Sequence, residues 1–455
     1  KISFINGNGS YLSLFGFNYL DRFNNPDVAD IGWKNQGGGA NFKLLLDNSD
    51  LVMNGLIGYS AYDISFSEDQ DDDRRESSVG SFVGRFDFDY YLPKGSVKYG
   101  VEINVINTEF TFTNPFGIRL DEVQSSPDIA GFAQLRYKFG DLVIEPGFRA
   151  IYYSALSEFS PEPRLGLKYN ITDYLRFKAA GGLYSQNLLA TSNEQDVIAL
   201  FSGFLTSPQS RVADLGSENR TSSNLQKATH AVGGFEIDLL RNFSVNIESY
   251  WKSFDQLVVV NRNKLNATDP NYTSENGVAY GGDISLKYSL PNLYLWGTYA
   301  LGYVNRFDGI QTYPTIFDRR HNVNILGNYQ FGVNNSWEVG ARWNFGSGFP
   351  FTQTQAFYDF FDFENGSNTN VVTENPDQVG VLYSTTRNGG RLPAFHRLDL
   401  SLIKRIDFGR AGELEINTSV TNAYDRANIF YFDRITYNRV DQLPILPSVS
   451  LKYKF

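Results

Sequence analysis

Alternation of apolar and polar residues is the feature that most restricts the fold of this chain. In residues 97–105 every odd position is apolar and every even position is polar or glycine. The same two-residue period recurs in 243–248, 337–345 and 398–402. Successive side chains of a β-strand point to opposite faces, so the pattern predicts strands with one apolar and one polar face.

Short and long connections follow one another in turn along the chain. Nine short segments carry the Gly, Pro, Asn or Asp residues that suit a tight reversal: 6–9, 47–50, 93–95, 140–141, 170–173, 241–242, 291–292, 333–335 and 409–412. Longer polar connections are predicted between them, at roughly 22–31, 67–78, 113–128, 154–160, 185–227, 256–277, 305–320, 346–395 and 424–446. Short turns on one side and long loops on the other are typical of outer-membrane barrels.

The pattern predicts an all-β fold, an antiparallel transmembrane β-barrel that occupies residues 1–455 as one domain. Nine hairpins and a last segment at 448–455 give about nineteen strands. Bacterial single-chain barrels have an even number of strands. We therefore expect an odd number of further strands upstream of residue 1. Short turns should face the periplasm, and long loops the outside.

Composition excludes several other classes of protein. No stretch approaches the ~18 consecutive apolar residues of a membrane-spanning helix. The chain has no cysteine, which excludes thiol chemistry, and its net charge of -10 argues against a nucleic-acid partner. His230, His321 and His396 are far apart, so we expect polar residues at the barrel rim rather than a metal site. With no local nucleophile motif either, we expect no catalytic residue and no cofactor.

The last strand carries a separate pattern. Its odd positions are apolar, its even positions are Ser or Lys, and the chain ends on an aromatic residue; the apolar positions are Val449, Leu451, Tyr453 and Phe455. This pattern resembles the C-terminal signal by which the barrel-assembly machinery of the outer membrane recognises its substrates.

Four pieces of sequence resemble the barrel of TonB-dependent outer-membrane receptors of the Bacteroidetes type. They are 160–169 with 172–184, 317–322 with 346–350, 391–400 and 420–428. The resemblance implies a barrel of twenty-two strands, of which three would lie upstream. It also implies a plug domain and a TonB-contacting segment before the barrel, neither of which is part of this sequence.

Two apolar islands lie inside loops that we expect to be extracellular. The segment 197–205 contains Phe201 and Phe204 and is compatible with a short helix. The second island contains Phe357, Tyr358, Phe360, Phe361 and Phe363. Large aromatic side chains are costly to leave in water, so each island is expected to pack on its own barrel, on a ligand or on a partner protein such as a surface lipoprotein.

Two functions follow as hypotheses. The first is a TonB-dependent receptor that imports a scarce extracellular solute, such as an iron chelate, a glycan or a peptide. The second is a receptor-like barrel that serves as a structural or interaction subunit of an outer-membrane complex. In both cases the protein would lie in the outer membrane, in contact with lipid and lipopolysaccharide. An enzyme is not expected.

Overall fold

The computed structural model describes residues 1–25, 29–67, 75–113, 119–191, 197, 200–209, 212–214, 221, 223–261, 264, 268–360 and 378–455. Side chains of residues 112, 113, 119, 191, 359, 360 and 378 are not described. The first fifteen strands are β1 Ile2–Ile5, β2 Tyr11–Asn25, β3 Ala29–Leu45, β4 Leu51–Ser67, β5 Arg75–Leu92, β6 Gly95–Thr113, β7 Arg119–Phe139, β8 Leu142–Tyr153, β9 Glu158–Asn170, β10 Leu175–Gln186, β11 Leu188–Thr191, β12 Gly203–Thr206, β13 Val212–Ala213, β14 Gln226–Leu240 and β15 Phe243–Val260. The remaining strands are β16 Tyr272–Ser289, β17 Leu293–Phe307, β18 Thr312–Pro314, β19 His321–Phe331, β20 Trp337–Gly346, β21 Pro350–Phe351, β22 Thr354–Phe360, β23 Gln378–Tyr383, β24 Gly390–Arg391, β25 Phe395–Asp407, β26 Glu413–Thr421, β27 Ile429–Phe432, β28 Arg439–Asp441 and β29 Leu446–Lys454.

Nineteen of these strands form one antiparallel meander, which is the wall of the fold. Each wall strand pairs with the wall strands before and after it in the chain, in the order β1 to β10, β14 to β17, β19, β20, β25, β26 and β29. The expected all-β fold and strand number are confirmed. Among the described residues, the only helices are two 3-10 turns of three residues, and no helix is long enough to cross a membrane.

The wall curves so that a loop from its C-terminal end reaches its N-terminal strands. The ring of Phe23, on β2, lies 5.4 Å from the ring of Phe430, in the loop between β26 and β29, and the two rings meet edge to face. The same curvature brings Asn271, before β16, within 3.2 Å of Glu122 on β7. The sheet therefore encloses a lumen, and its inner face can be identified strand by strand.

Alternation assigns one residue in two to each face, as the sequence predicted. On β6, Tyr99, Val101 and Ile103 are exposed on the outer face, whereas Glu102 points inward and meets Arg149 at 2.8 Å. The cross-strand registers carry this assignment around the wall. The outer face is consequently an apolar belt, and the inner face is mostly polar.

The belt has the height of a bilayer core. On β15 it extends from Phe243 to Trp251, with Val245 and Ile247 between them. Eight residue steps along a strand tilted by about 40° rise roughly 20 Å, close to the ~25 Å apolar band of outer-membrane barrels. Aromatic residues mark both ends of the belt, because amphipathic rings favour the membrane interface.

Tight turns close one end of every hairpin of the wall, and their positions agree with the nine predicted ones. Gly140 adopts a φ of +59° and Gly412 a φ of +120°, which glycine tolerates without strain. A Cβ atom at Gly412 would lie 2.2 Å from the carbonyl oxygen of Lys454, so the last hairpin requires glycine there.

Several predicted loops at the other end are wrong, because the strands continue through them. Residues 119–128, expected as loop, belong to β7 and pair with β6 as far as Thr113 opposite Arg119. Likewise β2 extends to Asn25 and β3 begins at Ala29. Continued pairing satisfies the backbone amides beyond the apolar belt, so polar sequence is compatible with strand.

The C-terminal strand lies at one edge of the wall and pairs with β26. Val449, Leu451 and Tyr453 are exposed on the outer face, in line with Thr418, Ile416 and Leu414 of β26. The alternation predicted for this strand is therefore present. Recognition of Val449, Leu451, Tyr453 and Phe455 by the assembly machinery stays a prediction.

A charge placed on the belt tests this assignment of faces. Ile247 and Val232 are each 41% exposed, but Ile247 faces outward and Val232 faces the lumen. We expect Ile247→Arg to lower the free energy of unfolding by about 2–4 kcal/mol, because arginine near the bilayer midplane is costly. Val232→Arg, on the mostly polar inner face, should cost much less. Urea unfolding in lipid vesicles measures both, and equal losses would contradict the assignment.

Candidate functional site at the loop end of the lumen

The connection between β10 and β14 folds into the lumen and packs on the inner wall. Its hairpin, β11 with β12, is fixed by side chains that project inward from β5, β6 and β7. The amide of Phe204 donates to Ser77 Oγ at 2.9 Å, and that of Thr206 donates to Thr108 Oγ1 at 3.2 Å. Thr206 Oγ1 also donates to Gln124 Oε1 at 2.7 Å. The hairpin is therefore held against three neighbouring strands.

The connection then crosses to the other side of the lumen. Val212 and Ala213 form a short parallel pair with Tyr272 and Thr273 at the start of β16. Further along, Asn224 donates its backbone N–H to Glu158 Oε1 at 2.9 Å, at the start of β9. One connection thus touches strands from β5 round to β16 and spans part of the lumen at its loop end.

Apolar side chains of the connection also pack against apolar side chains of the wall. We call the buried apolar residues at the loop end of the lumen the mouth cluster: Ala29, Ile31, Ile64, Phe66, Phe110, Leu189, Phe201, Leu205, Val212, Val258, Tyr272 and Tyr431. Leu205, Val212 and Tyr272 are completely buried. Gly203 lies so close to Phe110 that a Cβ atom there would be 2.0 Å from the ring, so any larger residue would displace the ring. The mouth cluster joins wall strands to two separate loops.

The second loop comes from the opposite end of the wall. Its hairpin, β27 with β28, contributes Tyr431 to the mouth cluster and packs Phe430 and Val440 against it. The two inward-folded loops therefore meet over the β2–β4 part of the wall. This position makes the loop end of the lumen the candidate site for recognition of a ligand.

The first predicted aromatic island packs on its own barrel. Phe201 is 2% exposed and its ring lies 6.3 Å from that of Phe66, while Phe204 meets Tyr62 edge to face at 6.1 Å. The short helix considered for 197–205 is wrong for its second half, because Gly203–Thr206 is a strand that pairs with β11. A hairpin lets this segment pair its backbone while its side chains enter the mouth cluster.

The second island has a different environment. Phe357 is 36% exposed and Tyr358 is 48% exposed on β22, and the ring of Phe357 touches that of Tyr437 edge to face at 6.1 Å. Phe361 and Phe363 lie outside the described residues, as does the side chain of Phe360. The described part of this island is thus open to solvent at the outer loops, away from the mouth cluster.

Sequence reasoning missed the polar residues that hold the β11–β12 hairpin. Ser77, Thr108 and Gln124 are ordinary polar residues in alternating strands, and their neighbours in sequence give no sign of a partner. The alternation of faces along each strand was the available signal. It places all three residues on the inner face, beyond the level of the belt.

Arginine and aspartate residues interlock the loops on the β17–β25 side. Asp318 is completely buried and accepts from Arg320 Nε at 2.9 Å and from Arg391 Nη2 at 2.5 Å. Arg391 also donates to the carbonyl oxygens of Asp318 and Gly348. A Cβ atom at Gly348 would lie 1.5 Å from Leu392 O, so no other residue fits there. Two sequence segments that carried the resemblance, around 317–322 and 391–400, thus meet in one ion-pair network.

Two further arginines, Arg319 and Arg387, are partly buried on the same side of the mouth. The guanidinium of Arg319 lies 4.3 Å from the ring centre of Phe349 and 5.7 Å from that of Phe395, and burial lowers its pKa. Tyr313 donates to Glu275 at 2.7 Å, Arg387 donates to the other Glu275 oxygen at 2.9 Å, and burial raises the pKa of Tyr313. These contacts fix loops rather than create a reactive group.

The remaining segments of the resemblance each contain a buried polar residue that forms several hydrogen bonds at the end of a wall strand. Glu162 is 1% exposed and accepts from Arg164 at 2.6 Å and from the amide and hydroxyl of Ser185. Asn422, at a φ of +55°, donates to the carbonyl oxygens of Arg426 and Leu443 and accepts from the amide of Arg426. Both residues lie where wall strands give way to loops.

Charges on the inner wall are largely paired with one another. Lys98 lies 3.0 Å from Asp87, and Asp399 lies 2.9 Å from Arg397. On the opposite wall Glu236 accepts from Lys178 at 2.7 Å and from Arg176 at 3.0 Å. Because cations and anions alternate, the inner wall does not favour a ligand of one charge.

The histidines occupy separate places. His321 and His396 lie at the loop ends of β19 and β25, where each ring nitrogen Nδ1 contacts a tyrosine hydroxyl, at 2.9 Å for Tyr299 and 2.8 Å for Tyr424. His230 is the fifth residue of β14, opposite Lys252 of β15, and its ring stacks on that of Tyr184 at 4.4 Å. Over the part of the chain that the structure describes, no group of three or more His, Asp or Glu residues could hold a metal ion.

Comparison with protein families gives one match. The sequence matches the family model described as TonB dependent receptor-like, beta-barrel, over residues 3–423. Comparison with curated proteins gives no match.

Comparison with solved structures finds similar barrels at low sequence identity. The ferric-catecholate import receptor Fiu from E. coli K12 is 12% identical, with a TM-score of 0.62, over 93% of this chain and 64% of that receptor. The copper transporter OprC is 10% identical, with a TM-score of 0.63, over 100% of this chain and 71% of its own. The FrpB iron transporter from Neisseria meningitidis is 12% identical, with a TM-score of 0.66, over 100% of this chain and 71% of its own. These similarities show the fold alone, and the chain spans under two thirds of the length of Fiu.

The network around Asp318 can be tested by removing its charge. Asp318→Asn leaves Arg320 and Arg391 beside an uncharged amide; both arginine side chains are about one-third exposed. We expect a loss of about 2–3 kcal/mol in the free energy of unfolding, less than the ~3–5 kcal/mol of a fully buried pair. Urea unfolding in vesicles measures it. Asp308→Asn, whose closest arginine contact is 3.8 Å, is the matched control and should lose much less.

Proposed function

The chain belongs to the family of TonB-dependent receptor-like β-barrels, and we propose that it is the barrel of a receptor that binds a scarce extracellular solute at the loop end of its lumen and imports it with energy relayed through TonB. The outer membrane is the location of this family and of its structural neighbours. A multi-pass position in that membrane agrees with the apolar belt of the wall.

The observation that carries the proposal is the pair of hairpins that fold into the loop end of the lumen. A passive porin keeps a water-filled channel. Here the β11–β12 and β27–β28 hairpins fold inward and bury the mouth cluster, with Leu205 and Tyr272 completely inaccessible to solvent. A lumen obstructed in this way favours capture of one solute followed by a gated passage over free diffusion.

The class of solute is proposed from the relatives. The structural neighbours are, by their names, a ferric-catecholate import receptor, an iron transporter and a copper transporter. An iron chelate is therefore the first candidate, and a glycan or a peptide remains an alternative. The paired charges of the inner wall do not decide among them.

The energy-coupling parts of the proposal concern sequence outside this chain. We propose that a plug domain and a TonB-contacting segment precede the barrel, together with three strands that complete a wall of twenty-two. The four segments that resemble Bacteroidetes-type receptors support placing the protein in that subgroup. The alternation of the last strand supports recognition by the barrel-assembly machinery.

An interaction subunit is the second candidate function, and exposed loop aromatics favour it. Phe357 and Tyr358 are partly exposed on the outer loops, and Tyr437 beside them is 63% exposed. Aromatic side chains are enriched at protein interfaces because they bury much surface at small entropic cost. We propose a surface lipoprotein as the partner that covers them. No catalytic role is proposed.

Import can be tested by deleting the gene and by fixing the β11–β12 hairpin with a reducible disulfide. Deleting the gene should abolish growth when one class of solute, offered as a ferric chelate, a glycan or a peptide, is the sole source of iron or carbon. Because the chain has no cysteine, Thr108→Cys with Thr206→Cys places two thiols where the Thr206 N–H now donates to Thr108 Oγ1, and we expect oxidation to join the β11–β12 hairpin to β6. That variant should lose the same growth and recover it with a reductant.

A control disulfide in the wall distinguishes the effect of fixing the hairpin from a general effect of introducing a disulfide. Ser419→Cys with Ser448→Cys joins β26 and β29, whose hydroxyls are already 2.7 Å apart in paired positions. This second disulfide should leave growth unchanged. Normal growth of the deletion strain on every solute would contradict import, whereas normal growth of the locked variant alone would contradict a role for hairpin movement.

The interaction hypothesis has its own test. Phe357→Ser with Tyr358→Ser should release a lipoprotein partner during purification of the receptor from outer membranes, because the double substitution removes the aromatic contact surface. The control is Phe317→Ser, which changes a phenylalanine in a different loop that is 66% exposed. Unchanged co-purification after the double substitution would exclude these aromatics as the interface.

A further inference from the structure

A groove on the outer face of the wall belongs neither to the lumen nor to the mouth cluster. It is an open depression of about 470 Å³ near the loop ends of β15, β16 and β17. Its lining consists of Ser253, Phe254, Asp255, Asn276, Gly277, Val278, Asn305, Arg306, Phe307 and Thr312. Strand parity places most of them, among them Ser253, Asn276 and Asn305, on the face that bears the apolar belt.

Register fixes the height of the groove relative to the membrane. Trp251, Tyr280 and Tyr303 lie side by side on three neighbouring strands and form the aromatic edge of the belt. The rings of Tyr280 and Tyr303 stack at 5.0 Å. The next outward-facing row toward the loops is Ser253, Val278 and Asn305, which already line the groove. The groove therefore begins one row beyond the aromatic girdle, at the level of the lipid head groups.

The lining has the chemistry of a hydroxyl-binding surface. Its outward-facing polar groups are the amides of Asn276 and Asn305, the hydroxyls of Ser253 and Thr312, and a carboxylate. That carboxylate belongs to Asp255, which accepts from Ser253 Oγ at 3.0 Å. Amides, hydroxyls and one carboxylate can both donate to and accept from a sugar ring.

A phosphate head group is a poorer match. Arg306 is the single cation of the lining, and its guanidinium is directed to Glu275, with Nη1 3.6 Å from Glu275 Oε2. Asp255, an exposed residue of the lining, would repel an anion. The groove thus selects a neutral, hydroxyl-rich group.

We propose that this groove binds the sugar head of an outer-leaflet glycolipid, with the acyl chains lying on the apolar belt below Trp251, Tyr280 and Tyr303. The side of the membrane follows from the long loops, which in outer-membrane barrels face outside. The assignment is independent of the solute that the lumen takes, because the groove opens toward lipid. It gives the protein a specific lipid contact in addition to the general apolar one.

Trp251 provides a direct measurement. The full chain is reconstituted in phosphatidylglycerol vesicles that contain a small fraction of one lipid with brominated acyl chains, either glucosyl diacylglycerol or phosphatidylglycerol. Bromine quenches tryptophan fluorescence at short range. We expect the brominated glycolipid to quench at a several-fold lower mole fraction than brominated phosphatidylglycerol. In Trp251→Phe, where the four other tryptophans remain, the difference between the lipids should disappear.

Substitutions in the groove connect the preference to its lining. Asn276→Ala with Asn305→Ala should weaken the glycolipid preference, by roughly fivefold for each neutral hydrogen bond lost. Asn18→Ala, an asparagine on the outer face of β2, should leave it unchanged. If the double variant does not fold, Asn305→Asp keeps the shape of the side chain and adds a second carboxylate, which should still weaken binding.

Three results would overturn the proposal. They are equal quenching by the two brominated lipids, a glycolipid preference that survives the groove substitutions, and a preference that survives Trp251→Phe. Free maltose distinguishes the source of the sugar. Displacement of the brominated glycolipid by millimolar maltose would assign the groove to soluble sugars instead, whereas unchanged quenching supports a membrane-anchored ligand.

Discussion

Backbone pairing inside a lipid layer is the constraint on which the rest of this structure depends. An amide or carbonyl group left unpaired in hydrocarbon costs several kcal/mol, so a chain of strands crosses a membrane only when each strand is paired along its length. Between its two edges, at β1–β2 and at β29, the meander meets this demand by pairing each wall strand with its neighbours in sequence through tight turns. Once the wall is paired, parity alone decides which side chains meet lipid and which meet the lumen.

The side chains of the inner face are stabilised in one way within the belt and in another way beyond it. Within the belt, lumen-facing cations and anions pair across strands, as Glu236 does with Lys178 and Arg176. Beyond the belt, the inner face becomes apolar on β3 and β4, where Ile31, Ile64 and Phe66 would meet water in an open channel. The inward-folded loops cover these residues, so the inward folding of the loops is a consequence of the wall as much as of the loops.

Loop order on the β17–β25 side depends on charge rather than on apolar burial. Asp318 serves two arginines from different connections, and Gly348 permits the close approach of Leu392 that completes the network. The two sides of the mouth are therefore built differently. The β11–β12 side buries apolar surface against the wall, and the β17–β25 side ties its loops to each other.

The sequence by itself determined the alternation, the nine tight turns, the nineteen strands and the apolar belt, because each depends on residues that are neighbours in the chain. Polar loop sequence was misleading where β2 and β7 continue beyond the belt, since backbone pairing in water tolerates polar side chains. Only the tertiary structure decided where the loops go. Phe204 and Ser77 are 127 positions apart in the chain, and their contact exists because the wall curves and brings distant inner-face residues together. The same curvature, which no local pattern encodes, created the mouth cluster and left the groove above Trp251 on the outside.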